Sequence, residues 1–264
     1  TVMSGHTYRR YDGKKLTHNN QYLGPFIGHE MNRCITCYRC VRFYKDYAGG
    51  TDFGPQASHN NTYFGRFQEG PLESEFSGNL AEVCPTGVFT DKVFSEHYSR
   101  KWDLQTAPSV CAACSVGCNI NPGERYGTLR RVVNRFNDEV NGYFICDKGR
   151  FGAGFVNSDK RIAVAMSRSA HDGRPVQIEA DKAKAQLLAM QGQSIGIASP
   201  RASLEANFAL RELVGKDKFY AGVSSHELAL LKQVIDIYST RPVHVASVKD
   251  IEQADAILVL GEDL

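Results

Sequence analysis

The chain lacks any long hydrophobic run. Its best apolar stretch, AILVL at 256–260, is far short of the roughly 20 residues that span a bilayer and reads as a buried strand. No secretory signal is visible, since TVMSGHTYRRYDGKK, where the sequence begins, is polar and basic. No excess of one charge exists either: 31 Lys and Arg stand against 29 Asp and Glu, for a net +2. That balance argues against nucleic-acid binding by general electrostatics. A glycine-rich G-x-G-x-x-G fingerprint is absent, so no dinucleotide site of that kind is expected. Residue 1 is Thr rather than an initiator Met, and VLGEDL stops just after a strand-like segment. The sequence reads as an internal fragment, long enough for one large domain or about two to three small ones.

Cysteine is absent from residues 147–264, yet eight cysteines lie between 34 and 146. Disulfides, zinc and iron–sulfur clusters are the three readings of such a set. Disulfides fit poorly, because there is no export signal and the cysteines are bunched. RCITCYRCVR at 33–42 puts Cys34, Cys37 and Cys40 three apart. A bacterial ferredoxin run is C-x2-C-x2-C-x3-C-P, with its fourth Cys serving the other cluster of a pair. Here that fourth position is Tyr44, and the Cys-Pro ending recurs downstream at Cys84-Pro85. Counting back from Cys84, the remaining ligand positions of the second run are Ser74, Ser77 and Leu80. The pattern is half of a two-cluster ferredoxin, with Cys84 as the fourth ligand beside Cys34, Cys37 and Cys40. A short loop with this spacing wraps three iron corners and turns its peptide N–H groups toward sulfur. A four-cysteine zinc site, the alternative, usually shows two C-x2-C knuckles.

VCAACSVGCN then supplies Cys111, Cys114 and Cys118, and the last cysteine is Cys146 in ICDKGRFG. Again three clustered ligands precede one distant ligand. GERYGTLRRVVNR between them predicts a strand pair turning near Gly127. The looser spacing leaves zinc more open here than at the first quartet.

The stretches GHEMNRCITCYRCVRFYKDYAGGTDFG and ESEFSGNLAEVCPTGVFTDK resemble the family of the large iron–sulfur subunit (the G subunit) of bacterial NADH–quinone oxidoreductase, respiratory complex I. APSVCAACSVGCNI with FICDKGRFG is similar to that family's next region, shared with molybdopterin-dependent oxidoreductases. The likeness is close from about Phe26 to Val156. It implies a [4Fe–4S] cluster on Cys34, Cys37, Cys40 and Cys84, on the path from NADH to quinone. It implies a second [4Fe–4S] cluster, off that path, on Cys111, Cys114, Cys118 and Cys146. Iron-only hydrogenases resemble the region but keep both ferredoxin clusters. The family's [2Fe–2S] cluster and its cluster bound by one His and three Cys have no ligands here, since His29 lies one residue too far from Cys34; they are expected on a missing N-terminal part.

The fold class expected is an α+β iron–sulfur, ferredoxin-like region followed by a partial α/β molybdopterin-oxidoreductase-like domain. The divisions are 1–104, ferredoxin-like with the first cluster; 105–160, the domain of the second cluster; and 161–264, the start of an α/β domain without cofactor. In that last part SIGIAS and ADAILVLGEDL are strand candidates, while LEANFALRELVG, stopping at Gly215, and LALLKQVIDIYS are helices. Such alternation favours a parallel, doubly wound sheet. The Ser199-Pro200-Arg201 loop occupies a usual ligand position but reads as a structural turn.

Phe43, Tyr44 and Tyr47 are expected to shield the first cluster as core residues. Arg130, Arg131 and Arg135 read as a solvated face or subunit contact, Lys148 and Arg150 as a surface or interface salt bridge. His6, His18 and His29 are expected to pack as ordinary polar groups.

The function implied is electron transfer from NADH and FMN towards quinone, as a subunit of a proton-translocating NADH–quinone oxidoreductase, with no catalytic residue on this segment. Its partners would be other peripheral-arm subunits, the NADH/FMN-binding one and those on the quinone side, with no nucleic acid and no membrane span. The location would be peripheral, on the cytoplasmic face of the bacterial inner membrane. Alternatives are a fragment of a molybdopterin-dependent oxidoreductase or hydrogenase-like electron carrier, or a zinc-stapled interaction module.

Overall fold

A computed structural model describes residues 16–260 except 170, 171 and 191, together with 3, 5, 8, 12 and 13. His6 lies outside the described residues, as do 261–264 of the last strand candidate. The chain divides into two compact units, Thr1–Asn157 and Ser158–Leu264.

The first unit holds all eight cysteines. Its elements are β1 (Ile27–His29), α1 (Arg39–Arg42), β2 (Phe53–Gln56), β3 (Tyr63–Arg66), α2 (Leu80–Val83), β4 (Phe89–Asp91) and α3 (Lys92–Ser95). β1 pairs antiparallel with β4, Ile27 opposite Asp91 and His29 opposite Phe89, and β2 with β3. These short ribbons are marginal alone; Leu23, Ile27, Phe43, Phe53, Phe64, Leu80 and Phe89, all nearly inaccessible, form the core between them. Residues 43–47 continue α1 as a π-helical turn. That turn buries Phe43 and Tyr44 but leaves Tyr47 74% exposed, so Tyr47 is not the core residue its spacing suggests.

Next come β5 (Gln105–Thr106), β6 (Ser109–Val110), β7 (Asn119–Arg125), β8 (Thr128–Asn134) and α4 (Asp147–Phe151). β7 pairs with β5 and β6 along one edge and with β8 along the other, all antiparallel. The expected hairpin is present: Tyr126 and Gly127, at φ 55° and 76°, make the turn, a conformation whose twist suits the flanking strands. Ile120, Val132 and Ile145 form a small core beneath it.

His29 is buried, stacked 5.4 Å from the Phe89 ring and edge-on to Tyr63, with Nδ1 accepting from Gln21 N at 3.0 Å. Burial pushes its pKa down to about 4, against a smaller upward effect of a backbone hydrogen bond at Phe64. An unfolded chain takes up that proton near the ordinary value of 6.5, the folded one only near 4. Stability is therefore full above pH 6.5 and is lost as pH falls through 4, by up to about 3 kcal/mol. Urea unfolding at pH 7 and 4.5 should show this slope, and His29→Asn should flatten it; equal slopes in both proteins would refute the assignment.

The second unit contains β9 (Met166–Arg168), β10 (Pro175–Gln177), α5 (Ala180–Ala189), β11 (Gly196–Ile197), α6 (Leu204–Val214), β12 (Phe219–Tyr220), α7 (Ser225–Thr240) and α8 (Val248–Glu252). β9 and β10 are antiparallel; β11 and β12 are parallel, with α6 as the crossover. Both helix expectations hold, and Gly215 ends α6 at φ 84°. The wider doubly wound sheet does not form among the described residues. Residues 254–260 are not a strand, and Ile257, Leu258 and Leu260 lie exposed. An apolar run becomes a strand only where a partner edge accepts its hydrogen bonds, and none does so here. The Ser199 loop is a structural turn, its N–H donating to Asn207 Oδ1 and its carbonyl accepting from Asn207 Nδ2.

Candidate iron–sulfur sites

The loop before α1 is bent twice. Cys34 closes the 3-10 turn Met31–Arg33, its N–H donating to Met31 O at 3.0 Å. Thr36 and Tyr38, either side of Cys37, both lie in left-handed backbone, at φ 57° and 58°. Such conformations cost non-glycine residues about 1–3 kcal/mol each and persist where surroundings over-determine them. Here the bends fold Thr36 N back to donate to Cys34 Sγ at 3.3 Å. Cys40 then sits buried inside α1.

Cys84 ends α2, donating its N–H to Leu80 O. Pro85 follows, which biases Cys84 itself toward the extended backbone seen at its ψ of 117°. Val88 N donates to Cys84 Sγ at 3.3 Å. Cys34, Cys37, Cys40 and Cys84, with Tyr38, Phe64 and Phe89, line one small cavity. Burial pushes the Cys40 thiol up to about 12, and the charges of Cys37, Cys34 and Cys84 push the same way. Burial also raises Cys34. At Cys84 burial acts upward too, but backbone N–H donors at Phe89, Thr86 and Val88 outweigh it and hold the thiol low.

The second quartet is built similarly. β6 leads into Cys111, whose N–H donates to Cys118 O at 2.8 Å and closes the loop. Cys146 caps the N-terminus of α4, its Sγ accepting from Gly149 N at 3.4 Å. Burial raises the Cys118 thiol, and Cys111, Cys114 and Cys146 raise it further. Gly149 closes the cradle: a Cβ there would lie 3.3 Å from Cys111 Sγ and 3.8 Å from Cys146 Sγ. Gly149→Ala should therefore lower occupancy of the second site at least twofold, read as iron per chain, while the first is untouched; full occupancy would show that the cradle has room to spare.

Neither quartet closes on a single ion. Among the described residues, no group of three or more His, Cys, Asp or Glu side chains is arranged to hold one metal ion, yet the thiols within each set feel one another's charge. Thiolates gathered this way repel one another, so a cationic centre is what would let all of them ionise.

The remaining sequence candidates lie elsewhere. His18 packs 6.0 Å from Tyr63, and Lys148 is exposed. Arg150 is not a surface residue: it is 4% exposed and pairs with Glu82 at 3.0 Å. Arg131 is likewise largely buried, facing Glu82 and Asp91 at 3.8 Å each, whereas Arg135 is exposed. A basic run is a solvated face only when no acid approaches from another element, and α2 and β4 bring two. Sequence reasoning missed Gly149; its one signal is its place three residues after Cys146, at the N-cap spacing.

The model of the NADH-quinone oxidoreductase subunit 3 ferredoxin-like domain matches residues 24–90, and that of the molybdopterin oxidoreductase Fe4S4 domain matches 104–158. The whole chain is 58% identical to the NADH-quinone oxidoreductase G subunit of Pseudomonas putida, 58% to that of Shewanella oneidensis and 56% to that of Escherichia coli K12. All of this chain is covered in each match, but it spans only 29% of each relative's length. The two iron–sulfur domain matches contain the two thiol quartets between them, and with the identity along all 264 residues they show that the chain belongs to the family of the NADH-quinone oxidoreductase G subunit.

Proposed function

We propose that this chain is an electron-transfer segment of a proton-translocating NADH–quinone oxidoreductase, carrying two [4Fe–4S] clusters. Cys34, Cys37, Cys40 and Cys84 hold the first, and Cys111, Cys114, Cys118 and Cys146 the second. The observation that carries this reading is the pair of thiol quartets. Each gathers three sulfurs from one loop and one from a distant helix terminus, with peptide N–H groups donating to sulfur.

When bound, such clusters supply one-electron redox chemistry. The chain's own residues do the rest. Phe64 and Phe89 wall the first cavity and would shield one side of a cluster there from water, and N–H donors to the sulfurs of Cys34, Cys84 and Cys146 stabilise negative charge on sulfur. Both effects set reduction potential. No side chain here is assigned to bond-making. NADH and FMN would bind on a partner subunit, and quinone-side subunits would take the electrons on. Among the described residues no helix is long and apolar enough to cross a membrane; the reading places the chain peripherally, on the cytoplasmic face of the bacterial inner membrane. The ferredoxin-like part is assigned to 1–104, the second cluster's part to 105–160 and a cofactor-free α/β part to 161–264.

The test is iron and acid-labile sulfide per chain after anaerobic purification, with low-temperature EPR after reduction. About eight of each and two [4Fe–4S] signals are expected. Zinc in place of iron would make the chain a stapled interaction module. Molybdenum or tungsten would make it part of a catalytic molybdopterin enzyme.

A further inference from the structure

In a two-cluster ferredoxin the positions held here by Tyr44, Ser74, Ser77 and Leu80 would ligate a second cubane. None is a cysteine in this chain, and the structure shows what stands there instead. Tyr44 and Leu80 are completely buried. The Tyr44 hydroxyl donates to Asp52 Oδ1 at 2.7 Å and accepts from Ser74 N at 3.1 Å. The region is packed protein.

Its outer side faces the segment of the second quartet. Ser77 Oγ donates to Asp147 Oδ2 and Gly78 N to Asp147 Oδ1, each at 2.6 Å. Asn79, fully buried, donates to Ile145 O at 2.8 Å and accepts from Arg150 Nη2 at 2.7 Å. Arg150 also reaches Glu82, two residues before Cys84. Residues 145, 147 and 150 thus bracket Cys146, and every one is bonded to 77–82. Gly78 lets α4 come this close: a Cβ on it would lie 2.6 Å from Asp147 Oδ1 and 2.7 Å from the Phe151 ring.

We propose that the 77–82 segment, on the site of a lost cubane, is the template that positions Cys146, so that assembly of the second quartet depends on the ferredoxin-like fold while the first does not depend on the second. The asymmetry follows from the contacts. Cys84 Sγ is held on its own side, by the Val88 N–H and by contact with the Thr86 hydroxyl. Cys146 has one local donor, Gly149; of its flanking backbone Ile145 is held by Asn79 and Asp147 N by Glu75 O, and the side chains of Asp147 and Arg150 are fixed from 77–82. Asn79, Gly78 and Ser77 are positioning residues, acting on the ligand through Ile145, Asp147 and Arg150. This inference rests on the two-cluster reading.

Two variants test it by opposite means. Asn79→Ala removes the buried hydrogen bonds; Gly78→Ala keeps every polar group but pushes α4 away. Both are made in the chain as it occurs in the cell, and iron, EPR and amide hydrogen exchange are measured together. Iron per chain should fall from about eight towards four, with the first quartet's signal retained. Exchange across 145–151 should speed up at least tenfold while β1 and β4 stay protected. Serine at 77 should matter less, because Ser77→Ala leaves the Gly78 N–H on Asp147. Full iron with unchanged exchange in both variants would overturn the template, as would loss of the first signal before the second. An iron-free wild type would instead sink the cluster reading, and hydrogen exchange on that same protein would still decide whether 77–82 holds 145–151.

Discussion

Cys37→Ala should lose the first cluster, cutting iron per chain from about eight to about four, and should destabilise the loop around it far more than one exposed thiol suggests. Cys37 makes no protein contact that would explain a large loss: it is exposed. On the proposed assignment its value lies in the two left-handed residues it separates. Such conformations cost about 1–3 kcal/mol each, and metal–thiolate bonds, formed only in the folded state, would offset that cost. Without the cluster the loop should relax to ordinary backbone, and the thiols of buried Cys40 and half-buried Cys34 should stay protonated. Cys146→Ala should remove only the second cluster and leave the first signal unchanged. Iron analysis with EPR on both variants checks the pair; unchanged iron in Cys37→Ala would refute the ligand assignment.

Tyr44→Ala should lower stability by about 3–5 kcal/mol, a large effect for a residue outside the two quartets. Its ring is wholly inaccessible and lies 5.2 Å from that of Phe53, so truncation opens a cavity in the main core. The hydroxyl joins Asp52 to Ser74 N, and Asp52 also pairs with buried Arg66 at 2.7 Å. Tyr44→Phe separates the two contributions: it keeps the ring and should cost about 1–3 kcal/mol, the penalty for stranding buried polar partners. Denaturant unfolding of both variants measures the difference. Equal losses in Phe and Ala would place the whole effect in the hydroxyl and remove the packing argument. The low pKa of His29 makes these comparisons most informative above pH 6.5, where the folded and unfolded imidazoles are both neutral.

Much of the candidate site was legible in the order of residues alone. Thiol spacing is a local property, and C-x2-C-x2-C forces three sulfurs onto one loop whatever surrounds it. The Cys84-Pro85 ending identified the distant fourth position by template, and the structure brings that residue to the same cavity. The turn at Tyr126-Gly127 and the end of α6 at Gly215 were equally readable, because glycine marks positive φ directly.

What could not be read was which charges meet. Arg131 and Arg150 look like solvated cations until α2 and β4 place Glu82 and Asp91 against them. AILVL looks like a strand, but strand formation needs a neighbouring edge. Tyr47 follows two buried aromatics at a helical interval, yet the π-helical turn rotates it out to solvent. The sequence by itself determined the spacing of the eight cysteines, their grouping into three plus one, and the likeness to the family. Only the tertiary structure decided that Ser77, Gly78 and Asn79 grip the backbone and side chains around Cys146. Those contacts join residues some 70 positions apart, and no local pattern encodes them; burying Asn79 and the Arg150 charge costs less where the two bond each other and Glu82 pairs with the guanidinium.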